Sequence, residues 1–280
     1  ITTALDEPVL TKSSNKHNRL VARAEPLSAE LQRDLEEGLI VNKPKDLKLQ
    51  AKYIAETHDL DVNYCGKRMW GCVPSGQEPC NMFMNETKGV SYLEEIQQSV
   101  MTGFEHAAQG GPLCREPLRG MRIMLEDVKL HADAIHRGMG QIMPTMRSLT
   151  YGMLLKCSPR LMEPIYKCVI TVPDVNAGKI YSLVTGKERR GIVIDETYKD
   201  GSSDKVITCH LPVAGSFGFN GDLKGATGGK GFATMAYSHW SVINSDPLEE
   251  GSYANKLVTE IRKRKGLGPI KTAEYYLDKL

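Results

Sequence analysis

An α+β protein of two domains is predicted, on three observations. The chain has 280 residues, which suits two domains at about 100–200 residues each. Residues 163–239 read as β-α-β-β-α-β within about 80 residues, the split βαβ or ferredoxin-like pattern. The residues before them interleave strands with amphipathic helices. A hydrophobic content of 41% is enough for a core in each domain.

Taken in order, SSNKHNR at residues 13–19 reads as a turn. LVARAEP follows as a strand, stopped by Pro26. Ser28 is placed as a helix N-cap, with Gly38 at the C′ position. A second helix is expected over residues 45–58. Residues 59–85 hold Gly, Pro and Asn around MWGCV and read as one strand with long turns. Leu93, Ile96, Val100, Phe104 and Ala107 recur at three- and four-residue steps. They predict a helix over residues 90–108, stopped by Gly110-Gly111-Pro112. Residues 121–130 read as a strand, and HADAIHRGMGQI as a glycine-containing connection. The next helix is expected to begin near Pro144, a residue suited to a first helical turn, and to end near Cys157.

In the ferredoxin-like stretch, YKCVITVP is a strand and AGKIYSLVTG a helix ending at Gly186. GIVIDETY and KVITCHLPV are strands joined at Asp200-Gly201. GFNGDLKGATG is a helix and ATMAYSHWSVI a strand. The crossovers are expected to be right-handed. A tail helix is predicted over residues 252–265, with Leu257 and Ile261 inward. The run Arg262-Lys263-Arg264-Lys265 closes it, where cations complement the helix dipole.

Several function classes drop out. The formal net charge is only +2, so nucleic-acid contact would have to come from local patches. No apolar run reaches the length of a membrane span. The opening ITTALDEPVL lacks an initiator Met and a signal pattern, so the chain is expected to begin inside a longer protein. The seven cysteines form no C-x-x-C and are expected to be reduced, mostly buried thiols. GDLKGATGGKG is glycine-rich, but Lys230 precedes Gly231 and not Ser or Thr, so it is no phosphate loop. Asn15-Lys16-His17-Asn18 misses a guanine-recognition N-K-x-D at its fourth position.

LHADAIHRGMGQ is the richest constellation. It holds His131, Asp133, His136, Arg137, Gly138 and Gly140 on a surface connection. An ordinary polar loop and a two-His, one-Asp metal site both fit that set, although no third strong ligand stands at metal-site spacing. Lys16, His17 and Arg19 can reach phosphates or simply face solvent. The basic run at residues 262–265 can touch RNA or cap its helix.

At LHADAIHRGMGQIMP the chain resembles the elongation factor 2 family of eukaryotes and archaea, which are translocation GTPases. SSNKHNR, TKGVSYLEEIQQSV, GPLCREPLRG, LPVAGSFGF, ATGGKGFATM, SHW, SDPL, IRKRKG and YLDKL match in order, so the resemblance covers essentially the whole chain. It implies a domain like ribosomal protein S5 domain 2 at residues 1–162 with 240–280, and a ferredoxin-like domain at 163–239. The GTPase would lie upstream, with GTP and Mg bound there and no cofactor, catalytic residue or metal ligand in this part.

The resemblance further implies a cytoplasmic, monomeric, ribosome-binding arm that promotes translocation of tRNA and mRNA. Its partners would be rRNA and the tRNA–mRNA pair in the decoding site. His136 would be the histidine converted to diphthamide by dedicated enzymes and ADP-ribosylated by diphtheria-type toxins. Lys16, His17, Asn18, His131, Asp133, Arg137, Gly138 and Gly140 would be tip contacts, with Asp133 orienting His136 or the loop backbone. The family loop is usually R-G-G-G-Q. Met139 replaces its middle glycine, which is expected to remove left-handed freedom and enlarge the tip. Spliceosomal and ribosome-assembly GTPases share the architecture without the full LHADAIH-R-G loop.

Overall fold

The computed structural model describes residues 1–42, 44–75 and 79–279. In chain order its elements are β1 (Val9–Lys12), β2 (Arg19–Pro26), α1 (Ala29–Glu36), α2 (Leu47–His58), α3 (Val62–Lys67), β3 (Met69–Val73), β4 (Asn81–Asn85), α4 (Leu93–Gln109), β5 (Met121–Lys129) and α5 (Met139–Lys156). Then follow β6 (Met162–Pro173), α6 (Ala177–Thr185), β7 (Ile192–Tyr198), β8 (Asp204–Pro212), α7 (Val213–Ser216), α8 (Phe219–Thr227), β9 (Phe232–Val242), α9 (Tyr253–Arg264) and α10 (Ala273–Tyr276). They form two compact units, Ile1–Arg160 with Ser245–Leu280, and Leu161–Asn244. The expected boundary at 163 and 239 moves outward by a few residues, because Met162 of β6 pairs with Val242 of β9.

Local chemistry explains most boundaries. The Ser28 side chain accepts the Leu31 N–H and starts α1, and Gly38 after it has φ +74°. Asp46 caps α2 by accepting from Lys48 and Leu49, and Asp61 caps α3 by accepting from Tyr64. Residues 59–85 therefore hold a helix and two strands where one strand was expected. Residues 76–78, between the two strands in sequence, lie outside the described residues.

In the first unit a five-stranded sheet has the order β1-β2-β5-β4-β3, antiparallel except for β4 beside β5. Side chains alternate between its faces. Leu20, Ala22, Phe83, Ile123 and Leu125 pack with Ile96, Val100 and Phe104 of α4 and Ile142, Met146 and Leu149 of α5. Met82, Met84 and Met124 turn the other way, onto Leu31 and Leu35 of α1, Ile54 of α2 and Cys65 of α3. The sheet is thus covered on both faces. Burying each large side chain contributes about 1.5–3 kcal/mol.

Close approaches at Gly103 and Gly152 depend on glycine. A Cβ on Gly103 of α4 would lie 2.5 Å from the Met143 carbonyl oxygen and 2.9 Å from the Met146 Cβ, so α4 and α5 meet backbone to backbone. Gly152 of α5 gives its missing side chain's space to Leu277. That contact seats a strap along β1. Asp278 donates its N–H to Leu10 O at 2.9 Å and accepts the Lys12 N–H on Oδ2 at 2.8 Å, while Thr11 Oγ1 donates to Tyr276 O at 3.1 Å. The outer edge of β1 is thereby satisfied rather than left open.

The second unit is a four-stranded antiparallel sheet of order β7-β8-β6-β9, with α6 and α8 on one face. Cys168, Ile170, Val172, Ile207 and Leu211 of the sheet pack on Ile180 and Val184 of α6 and Phe219 and Leu223 of α8. This is the ferredoxin-like arrangement.

Two further expectations are corrected. α5 begins at Met139, so Pro144 lies inside it rather than at its start. Gly138 takes the N-cap conformation (φ −63°, ψ 165°), and its carbonyl accepts from Gln141 and Ile142. Pro144 and Gly140 are both exposed, so the Gly140 carbonyl that lacks the proline's N–H can turn to solvent. In α9 the buried residues are Ala254 and Val258, with Leu257 and Ile261 only half-buried.

Candidate functional site

Arg19 at the start of β2 pairs with Lys129 at the end of β5. The turn before β2 and the connection after β5 therefore leave the same end of the sheet side by side. Residues 13–18 and 131–138, far apart in sequence, form one surface there.

Three imidazoles meet on it. The ring centroids of His17 and His131 are 4.9 Å apart, those of His17 and His136 4.9 Å, and those of His131 and His136 4.5 Å. His17 is exposed and the other two half-buried. His131 Nδ1 accepts the Asp133 N–H at 3.0 Å, so Nε2 carries the proton when the ring is neutral. Lys16 is exposed beside them with φ +62°, its N–H bonded to Ser13 O at 2.7 Å. Among the described residues, no group of three His, Cys, Asp or Glu side chains is placed to hold a metal ion.

Asp133 shapes the backbone. Its carboxylate accepts the Ile135 N–H at 3.2 Å and its carbonyl accepts the His136 N–H at 3.2 Å, which closes a short 3-10 turn over Ala134–His136. Asp133 itself is exposed. Ile135 stands out from this turn at 78% exposure, an apolar side chain at the very end of the surface.

Two expected contact residues are internal. Asn18 is fully buried, its carboxamide bonded to Ser13, His131 and His136. Arg137 is 7% exposed. It donates to Glu95 Oε2 at 2.9 and 2.7 Å and to the carbonyls of His131 and Ala132 at 3.0 and 2.6 Å, and it stacks over the Tyr92 ring at 4.1 Å. Both side chains are engaged in holding the surface together. Gly138 and Gly140 are exposed, have negative φ, and have open space where a Cβ would go.

Met139 likewise departs from expectation. It is the first residue of α5 and has helical backbone, so no left-handed freedom is lost there. Its side chain is 51% exposed and does enlarge the apolar part of the tip.

Sequence reasoning missed the supports. Asn15 Nδ2 donates to His136 O at 2.8 Å, and Gln141 Oε1 accepts from Ser14 Oγ at 2.8 Å and Asn15 N at 3.1 Å. Glu95 comes from α4 and Tyr92 from the residue just before it, and no spacing links them to Arg137. The basic run on α9 also resolves into two roles. Arg262 reaches the Pro112, Leu113 and Gly268 carbonyls, and Lys265 reaches those of Cys114 and Arg115, whereas Lys263 and Arg264 are exposed.

Comparison with known families bears on both units. Residues 41–158 match the family described as elongation factor G, domain IV, and residues 160–251 match the elongation factor G C-terminus. The chain carries these two elongation factor G domains. Domain IV is the S5-like unit and holds the histidine surface, and the C-terminal domain is the ferredoxin-like unit. His131, Asp133 and His136 lie within the domain IV match, whereas the turn at residues 13–18 precedes it. These are domains of a translation elongation factor. Among the described residues no helix is long and apolar enough to cross a membrane.

Proposed function

We propose that the chain is the ribosome-binding arm of an elongation factor 2, the eukaryotic and archaeal translocase, and that the His17, His131 and His136 end enters the decoding site. The observation that carries this reading is the meeting of the β1–β2 turn and the β5–α5 connection at one end of domain IV, with Lys16, His17 and both other imidazoles at their surface. A factor that acts on every codon needs contacts to phosphate and 2′-OH groups rather than to base edges, and Lys and imidazole N–H donors suit that task. His131 offers such a donor, since its Nδ1 is occupied by Asp133. Asp133 shapes the turn that carries His136.

His136 is the position at which the elongation factor 2 family carries diphthamide. A fixed cation there would keep its attraction for phosphate at any pH, unlike an imidazole. The enzymes that build diphthamide and the toxins that ADP-ribosylate it would then be further partners in the cytoplasm. GTP hydrolysis belongs to an upstream domain of the parent protein, and these two domains supply contact and leverage.

Two measurements test the reading. Tandem mass spectrometry of the His136 peptide from native cells should show the added mass of diphthamide. An unmodified His136 in cells that make diphthamide would point instead to a spliceosomal or ribosome-assembly relative. In a reconstituted translocation assay, Lys16→Ala with His17→Ala in the parent protein should slow the step while leaving ribosome-independent folding intact. Full activity of that double variant would remove the contact role.

A further inference from the structure

We infer that Asn18 and Asn15 are positioning residues for His136, and that the turn at residues 13–18 is the template on which the 131–137 loop takes its shape. This inference rests on reading the three-histidine end as the contact surface. Asn18 is fully buried although its side chain is polar, so its carboxamide needs partners, and it has them in two backbone groups and one side-chain hydroxyl. Its Nδ2 donates to His136 O at 2.8 Å and to Ser13 Oγ at 3.1 Å, and its Oδ1 accepts the His131 N–H at 3.2 Å. Asn15 Nδ2 adds a second donor to His136 O, also at 2.8 Å.

The carbonyl of His136 is thus held by two amides from the neighbouring turn. The turn itself is rigid. Ser13 N–H donates to Asn18 O at 2.9 Å, Asn18 N–H donates to Ser13 Oγ at 3.0 Å, and His17 N–H donates to Asn15 Oδ1 at 3.1 Å. Gln141 at the start of α5 accepts from Ser14 and Asn15 and closes the far side.

The consequence is division of labour. His17 and His136 present their rings, and the two asparagines set where the His136 ring stands relative to the others. A side chain that must be placed to within about half an ångström needs such a supporting shell. At this size asparagine alone supplies two N–H donors and a carbonyl acceptor on one planar group. Aspartate at position 18 would keep the acceptor for His131, lose both donors, and set a carboxylate against the His136 carbonyl.

Imidazole carbon–proton NMR of the whole 280-residue chain tests this. In the wild type, His17, His131 and His136 should give three separate ring signals, displaced by one another's ring currents. Asn18→Ala should move all three toward the exposed-histidine position and speed His131 amide exchange about tenfold. Core methyl signals should stay in place. Asn15→Ala should move the His136 signal and leave the His131 amide protected. If Asn18→Ala does not fold, Asn15→Ala decides. Unmoved ring signals in whichever variant folds overturn the template. Because the rings are read without a ribosome, this result is separate from the translocation assay, which tests the contact role alone.

Discussion

Asp34 Oδ2 and His58 Nε2 stand 2.8 Å apart and tie α1 to α2, with Tyr53 Oη donating to the same carboxylate oxygen at 2.7 Å. Burial alone pushes the Asp34 carboxyl up, but the hydrogen bonds from Tyr53 and His58 outweigh it and hold the group below its ordinary value. A depressed carboxyl contributes stability above its unfolded value, near about 3.9, and loses it as pH falls through the folded one. Asp34→Asn should therefore lower the urea midpoint at neutral pH and flatten its fall below about pH 4. A variant with the wild-type acid slope would place that pH dependence on other carboxylates.

The crossing of α4 over α5 gives a second prediction. Gly103→Ala puts a methyl against the Met143 carbonyl, which belongs to backbone and cannot swing away. Overpacking of this kind costs about 1–3 kcal/mol. Equilibrium urea unfolding should show the loss, with Gly140→Ala, which meets open space, close to the wild type.

All seven cysteines are buried. Burial pushes the Cys72 thiol up to about 12 and the Cys157 thiol up to about 11, so little thiolate forms at neutral pH. A chromogenic disulfide reagent should label none of them in the folded protein and all seven in denaturant. Rapid labelling under native conditions would mean that a core opens far more often than its packing suggests.

On α9, Arg262→Ala should destabilise the protein by about 1–3 kcal/mol, since it strands carbonyls of the 112–113 loop. Lys263→Ala with Arg264→Ala removes exposed charges and should change stability by no more than about 0.5 kcal/mol. Thermal unfolding of the two variants separates the fastening half of the run from its free half.

These elements also show where sequence patterns carry information. The α4 stripe, the Ser28 cap with Gly38, and the strand and helix order of the ferredoxin-like unit were all legible, because each is written in local spacing or a single capping residue. The helix α3 was not, since Asp61 starts it among turn-forming residues and only six residues follow. The start of α5 was misplaced because Pro144 suits a first turn, while Gly138 caps without a side-chain signal. At the site, spacing drew attention to the histidines and Asp133. It could not distinguish Asn18 and Arg137 as internal, because their partners come from stretches remote in sequence that the β2–β5 pairing brings together.

The strap of Tyr276, Leu277 and Asp278 on β1 has a consequence for synthesis. Its partners Leu10 and Gly152 are made early, and the whole ferredoxin-like unit is then made before the strap. At about 5–20 residues per second, translation leaves the outer edge of β1 bare for on the order of ten seconds. During that interval the ferredoxin-like unit, which is continuous in sequence, can finish folding while its partner unit waits. The nascent chain therefore passes through this interval with an open strand edge at residues 9–12, an edge that a chaperone or ribosome surface would be placed to shield.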